Sequence, residues 1–212
     1  MTEKTPVFEK IMKDYLLQVA SIEEKEEIGT LLQITVIDDG YRIPFFNQTY
    51  TVTPDLIIDV EGKKATHIVS VILCKYLLLC PRQPSDDLSL VTYKDFKDAA
   101  PYVGGFRNTA GLPIARHFEN GLQRLEQRCL ELDGRSFNTE VSCQLAVKFH
   151  ALPKVPVVLL FNDADEEFPA QATLLFQKNA DSYLDMECLA MIGSTLANRL
   201  QEGEKKENSI VG

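Results

Sequence analysis

The fold is decided by one stretch near the C-terminal end of the chain, Val155-Pro156-Val157-Val158-Leu159-Leu160-Phe161-Asn162-Asp163-Ala164-Asp165-Glu166-Glu167-Phe168-Pro169-Ala170. The run from Val157 to Phe161 is purely apolar and predicts a buried strand. Four carboxylates and a Phe-Pro pair follow at once. We therefore predict a tight acidic turn after the strand, with Phe168 folded back beneath it to seal the core.

The whole chain has the composition of a globular protein. It has 212 residues, of which 45% are hydrophobic and 25% are charged, close to the average for globular domains. This length suits one domain. We expect a single domain over residues 1–200, followed by a flexible, polar C-terminal tail over residues 201–212.

The order of predicted elements indicates the fold class. Helical patterns and strand patterns come in separate groups, which favours an α+β fold with a mixed or antiparallel sheet and about four helices. We place a capped helix start at Thr5-Pro6, a turn at Asn47-Gln48 between two hairpin strands, one continuous helix from Pro113 to Leu132, and a capping box at Ser182-x-x-Asp185 before the last helix.

Charge and apolar content exclude several classes of protein. The formal net charge is −9 and the pI is about 4.9, so the surface repels phosphate backbones and we expect no nucleic-acid partner. The longest apolar run, from Ile68 to Cys80, is too short to span a bilayer. The N-terminus has no signal-peptide pattern, and the five cysteines form no C-x-x-C pair. We predict a cytoplasmic location, no membrane association and reduced cysteines.

Familiar catalytic motifs are missing from the sequence. It contains no phosphate-binding loop, dinucleotide fingerprint, nucleophile elbow or H-E-x-x-H motif. The three histidines have no i, i+4 spacing, so we predict neither a metal site nor a catalytic base among them. Gly104-Gly105 indicates a turn; the alternative is that loop amides beside Arg107 bind an anion.

The acidic stretch after the predicted strand has two interpretations. Its spacing resembles a calcium loop, but Phe168 stands where such a loop needs glycine and Leu174 where it needs glutamate. Either these carboxylates cap and solvate a turn, or they face a cleft together with a second acidic group around Asp181 and Asp185. Crowded carboxylates raise one another's pKa or bind a hard cation. The candidate ligand-binding residues are Asp163, Asp165, Glu166, Glu167, Asp181, Glu187 and Arg107.

The same region resembles a known family. The resemblance is carried by Pro153-Lys154-Val155-Pro156, Asp165-Glu166-Glu167-Phe168-Pro169-Ala170, Leu175-Phe176 and Tyr183-Leu184-Asp185-Met186-Glu187. These motifs are similar to those of a prokaryotic family known as domain of unknown function 3786, and looser similarity covers about residues 7 to 200. Gln177 departs from the aspartate usual there, and Phe161 and Leu90 stand where tryptophan is expected.

The resemblance implies a metabolic setting but no activity. Some relatives are joined to cysteine-rich iron–sulfur modules and are frequent in anaerobes, which implies a redox or corrinoid-associated neighbourhood. Our leading hypothesis is a non-catalytic binding or accessory module with a protein partner or a small ligand, and with no cofactor assigned. The competing hypothesis is an enzyme, or a cation- or cofactor-binding site, built from residues 163–167 and 181–187.

Overall fold

A computed structural model describes residues 6–207, with side chains from residue 7 to residue 202. The helices are α1 (Pro6–Ala20), α2 (Lys25–Leu32), α3 (His67–Leu78), α4 (Val103–Phe106), α5 (Leu112–His117), α6 (Leu122–Glu131) and α7 (Met186–Glu207). The strands are β1 (Thr35–Ile37), β2 (Gly40–Phe45), β3 (Gln48–Val52), β4 (Ile57–Asp59), β5 (Leu90–Thr92), β6 (Arg135–Ser136), β7 (Leu145–Leu152), β8 (Val155–Asn162) and β9 (Gln171–Gln177).

The strands form two antiparallel sheets. The first is a meander in the order β1-β2-β3-β4, and the second has the order β5-β9-β8-β7-β6. The α+β prediction is therefore confirmed, with antiparallel pairing throughout. The helices exceed the expected number because α2 and the short α4 were overlooked and the predicted helix from Pro113 to Leu132 is divided.

Strand β8 lies at the centre of the second sheet, between β7 and β9. Every residue from Val155 to Phe161 is buried, so the prediction of a strand buried on both faces is confirmed. The strand begins two residues earlier than Val157. Pro156 lies inside it, opposite His150 and next to an irregularity in the register with β7, where a missing amide is tolerated.

Helix α3 is the most apolar helix of the fold and lies between α1 and α7. Eight of its twelve residues are buried, as expected for a helix with apolar residues on nearly every face. The hydroxyl of Thr66 accepts a hydrogen bond from the Val69 amide and caps its N-terminus. This start of α3 lies at the surface and borders the two cavities discussed below.

The predicted continuous helix from Pro113 to Leu132 is wrong. Helix α5 ends at His117 and α6 begins at Leu122, and Asn120 between them has φ of 57°. Asparagine tolerates this left-handed conformation better than most residues. The apolar spacing is continuous across the break, which is why periodicity alone missed it.

The hairpin between β2 and β3 turns one residue earlier than predicted. Phe45 pairs with Gln48, so the turn residues are Phe46 and Asn47, and Phe46 has φ of 53°. The Phe46 amide donates a hydrogen bond to the Ala151 carbonyl at 3.0 Å, and this contact with the second sheet supports a conformation that is uncommon for a bulky residue.

Three further predictions concern helix starts and the C-terminal tail. The Ser182 capping box is wrong, because Ser182 lies in a 3₁₀ turn (Lys178–Ser182) and the Asp185 carboxylate accepts the Cys188 amide instead, at 2.9 Å. The Thr5 cap lies outside the described residues. Helix α7 continues to Glu207, and the remainder of the predicted tail, residues 208–212, is also outside them.

Phe168 does not fold back beneath the acidic turn, so that prediction is wrong. Its side chain is 58% exposed. By contrast, Phe161 and Phe176 on the adjoining strands β8 and β9 are fully buried. Gly104 and Gly105 do not form a turn either, since both lie within helix α4.

Candidate anion-binding site

The carboxylate of Asp163 binds backbone amides of another segment. It accepts hydrogen bonds from Asn120 at 2.6 Å and from Leu122 at 3.2 Å. Leu122 is the first residue of α6, so Asp163 caps this helix across the sequence. It also accepts the amide of Ala164. These contacts assign Asp163 a structural role at the break between α5 and α6.

Asp165 closes the acidic turn on itself. Its carboxylate accepts the amides of Glu167 at 2.9 Å and Phe168 at 2.7 Å, while its own amide donates to the Phe168 carbonyl at 2.9 Å. The side chain thus mimics the backbone of a turn. Glu166 and Glu167 are exposed to solvent. This geometry supports the interpretation of the stretch as a capped and solvated turn.

The two acidic groups lie at opposite ends of the second sheet. The group at 163–167 follows the end of β8 at which Asn162 pairs with Gln171, whereas Asp181 and Glu187 follow the other end of β9. Seven residues of extended strand separate these ends by about 20 Å. Partial burial raises the pKa of Asp181 above its ordinary value, and Glu187 is exposed. The carboxylates therefore do not converge on one cleft.

Arg107 opens a short π-helical turn, Arg107–Gly111, and is exposed. It borders an open cavity of about 600 Å³ together with Lys94 and the side of β9. Such π-helical turns are frequent at functional sites. In this turn, however, close packing also explains why position 111 is a glycine. A Cβ at this glycine would lie 2.7 Å from the Ala172 carbonyl oxygen.

Gln177, where the resemblance led us to expect aspartate, ends β9. It borders a depression of about 370 Å³ with Lys148, His150 and Tyr183. Burial, together with Lys148 and Arg135, lowers the pKa of His150. Among the residues that the structure describes, no group of three or more His, Cys, Asp or Glu side chains is arranged to hold a metal ion.

A different cavity, of about 640 Å³, gathers polar side chains from distant segments. They come from the β2–β3 hairpin, the loop before α3, the end of α6 and the last turns of the described part of α7. The charged residues that border it are Asp59, Lys63, Lys64, Arg128, Glu131, Arg199 and Glu202. Its volume is within the range typical of small-ligand sites.

Arg199 is the central cation of this cavity. Its guanidinium donates to the Phe45 carbonyl at 3.2 Å, to Asn47 Oδ1 at 3.4 Å, to Gln48 Oε1 at 3.0 Å and to the Tyr50 hydroxyl at 3.3 Å. All four acceptors are neutral. Within the described side chains, no carboxylate lies within ion-pair distance of Arg199; Glu202 acts on it only through space.

The surroundings of Arg199 are apolar on one side. Its guanidinium lies 5.1 Å from the centroid of the Phe45 ring and 5.2 Å from that of Phe46, a favourable arrangement for a cation. Burial lowers the pKa of Arg199 from its ordinary value, and burial also raises that of Tyr50. The site thus holds a desolvated positive charge, which an incoming anion would stabilise.

Two of the three anions that border the cavity, Asp59 and Glu131, have partners other than Arg199. Asp59 accepts the amides of Glu61 and Lys63 in its own turn. Glu131 forms an ion pair with Arg128, whose guanidinium also donates to the carbonyls of Leu200 and Arg199. Four cations against three anions border this cavity, in a chain whose net charge is −9.

The start of α3 adds to the positive potential. Thr66, Ile68 and Val69 border the same cavity, so the N-terminal end of the α3 dipole lies beside it. This contribution supports a site whose main charge is Arg199.

No local sequence signal points to Arg199. It lies three positions after the apolar residue Leu196, where an arginine predicts only the edge of the buried stripe. Its acceptors lie about 150 positions earlier, at separations of 149 to 154 residues. Only the packing of α7 against the β2–β3 hairpin brings them together.

The protein is thus an α+β domain with two antiparallel sheets. A polar cavity bordered by four cations lies between the first sheet and helix α7. The family profile described as Domain of unknown function (DUF3786) matches residues 24–199. The chain therefore belongs to this family, as its motifs predicted. No curated protein and no solved structure matches it. No helix within residues 6–207 is long and apolar enough to cross a membrane.

Proposed function

We propose that the protein is a non-catalytic binding module whose ligand is a small anion held at Arg199. The observation that carries the proposal is a partly buried guanidinium that borders a ligand-sized cavity and whose hydrogen-bond acceptors among the described side chains and backbone are all neutral. A carboxylate or phosphate group would add the opposite charge to these hydrogen bonds and can accept two parallel N–H bonds from the guanidinium.

The composition of the cavity supports binding rather than catalysis. Its lining contains hydroxyl, amide and charged side chains, but no histidine or cysteine. Asn47 and Gln48 carry amide groups that can turn to donate as well as accept, so they suit an anion that replaces them as acceptors of Arg199. The competing hypothesis is a site built from both acidic groups. It requires their carboxylates to converge, whereas the two groups lie at opposite ends of β9.

The cellular setting remains part of the proposal. A role as an accessory module in anaerobic, redox or corrinoid-associated metabolism rests on the resemblance to relatives joined to iron–sulfur modules. A cytoplasmic location is supported by the free thiols of all five cysteines, which persist in reducing compartments. The acidic net charge supports the absence of a nucleic-acid partner.

The test is a titration with simple anions. Sodium acetate, citrate and phosphate would be added at constant ionic strength while the melting temperature is followed. We expect at least one of them to stabilise the fold, since a ligand at 100 times its dissociation constant adds about 2.7 kcal/mol. Arg199→Gln should abolish this effect, and Arg199→Lys should reduce it because the two-pronged donor is lost.

The matched control is Arg82→Gln, which removes an exposed cation paired with Glu24 at the surface. It changes the net charge by the same amount and should leave the anion effect intact. An equal response of Arg199→Gln and the unchanged protein would contradict the proposal, as would no response of the unchanged protein to any of the three anions. Circular dichroism would verify that each variant is folded.

A further inference from the structure

A second cavity lies next to the Arg199 cavity and has the opposite character. It occupies about 630 Å³ between α1, the loop before β4 and the start of α3. Its walls are mainly apolar, formed by Phe8, Met12, Leu16, Leu17, Leu56 and Ile57. Phe8 is 49% exposed and Leu17 is 58% exposed, so the surface of α1 beside this groove is only partly covered by the protein.

The two cavities meet at one segment of the chain. Lys64, Ala65 and Thr66 border both of them, on either side of the start of α3. Ala65 is fixed by a hydrogen bond from its amide to the Ile57 carbonyl at 2.9 Å. Ile68, which is 40% exposed, faces the polar cavity. The two cavities are therefore adjacent, with Lys64–Thr66 between them and the apolar side chain of Ile68 on the polar side.

We infer that the ligand is an amphipathic acid, with its anionic group at Arg199 and its apolar chain in the groove beside α1. This inference rests on the proposed function and adds a ligand class to it. We assign the apolar chain of the same ligand to the groove, because three residues border both the groove and the charged cavity. Its rim carries the cations Lys13 and Lys64 as well as Glu9 and Asp55, so an acid entering over the rim meets charges of both signs.

The inference makes a prediction about chain length. A short acid would occupy only the charged cavity, whereas a longer one would also bury methylene groups against Leu17 and Met12. Each methylene group that becomes buried should tighten binding about fourfold, which corresponds to about 0.8 kcal/mol. The gain should stop when the chain fills the groove.

The experiment is calorimetric titration of the full chain with acetate, butyrate, hexanoate, octanoate and decanoate, all below their micellar concentrations. The groove variant is Leu17→Asp, chosen because its exposed side chain can change without loss of the core. The matched control is Leu130→Asp on α6, which is 66% exposed and borders neither cavity. Octanol, which has the chain without the charge, would be titrated in parallel.

We expect affinity to rise along the series for the unchanged protein and for Leu130→Asp, and to stay flat for Leu17→Asp, while acetate binds equally to all three. Octanol should bind more weakly than octanoate. If all the acids bind with equal affinity and Arg199→Gln abolishes that binding, the chain-length inference is overturned and the proposed anion site at Arg199 is retained. If no acid binds, both the chain-length inference and the proposed anion site are overturned. A dimer that Leu17→Asp dissociates would show that a second copy covers the groove, and would also overturn the inference.

Discussion

The acidic turn at 163–168 and the Arg199 cavity differ in two respects. One is whether the charge can be recognised in the sequence, and the other is which groups form hydrogen bonds with the charged side chains. The turn concentrates four carboxylates within five residues, and two of them accept backbone amides nearby or across the fold. The cavity depends on a single arginine in an ordinary helix, but that arginine is partly buried and has neutral acceptors.

This difference shows that charge density along a sequence is a poor guide to a binding site. Carboxylates at a strand end are natural acceptors for the unpaired amides of turns and helix starts. Once they accept those amides, fewer of their lone pairs are available for a ligand. A partly buried cation whose hydrogen-bond acceptors are neutral is the stronger indication, because neutral acceptors and aromatic rings offset its desolvation less than an anion would.

The largest effect that tests the comparison concerns the two phenylalanines that flank the acidic turn. Phe161→Ala should lower the free energy of unfolding by about 3–5 kcal/mol, because this fully buried ring would leave a cavity. Phe168→Ala should change it by less than about 0.5 kcal/mol, because the ring is largely exposed. Urea denaturation would measure both, and similar losses would mean that Phe168 seals the core after all.

A smaller effect separates the carboxylates of the turn from one another. Asp163→Ala should cost roughly 1–2 kcal/mol, because the amides at the start of α6 lose their acceptor. Glu166→Ala is the matched control, and we expect a change within about 0.5 kcal/mol for this exposed residue. Chemical denaturation of both variants would decide the matter. If the two substitutions cost the same, Asp163 would not be a cap.

The parts of the fold that the sequence predicted are those governed by local pattern. The apolar run of β8 and the all-round apolar surface of α3 specify buried elements without knowledge of their neighbours. The family assignment, which the family profile confirms over residues 24–199, also followed from local motifs between Pro153 and Glu187.

The errors arose where a distant contact decides the outcome. The break at Asn120 is held by Asp163, 43 positions later, and the left-handed Phe46 is supported by Ala151 on another sheet. The Arg199 cavity has the same origin, since its walls come from four separate segments. Periodicity and turn propensity carry no information about such contacts.

The smallest expected effect concerns cations at the acidic turn. We expect millimolar calcium chloride to leave the melting temperature unchanged relative to potassium chloride of equal ionic strength. Calcium needs six to eight oxygen ligands, whereas here the carboxylates of Asp163 and Asp165 already accept amides and Glu167 is exposed. A calcium-specific rise that disappears in Glu167→Ala would reverse the comparison, because it would show that the turn rearranges to bind a cation. The same measurement on Arg199→Gln is the control, since calcium at the turn should not depend on a guanidinium near the other sheet.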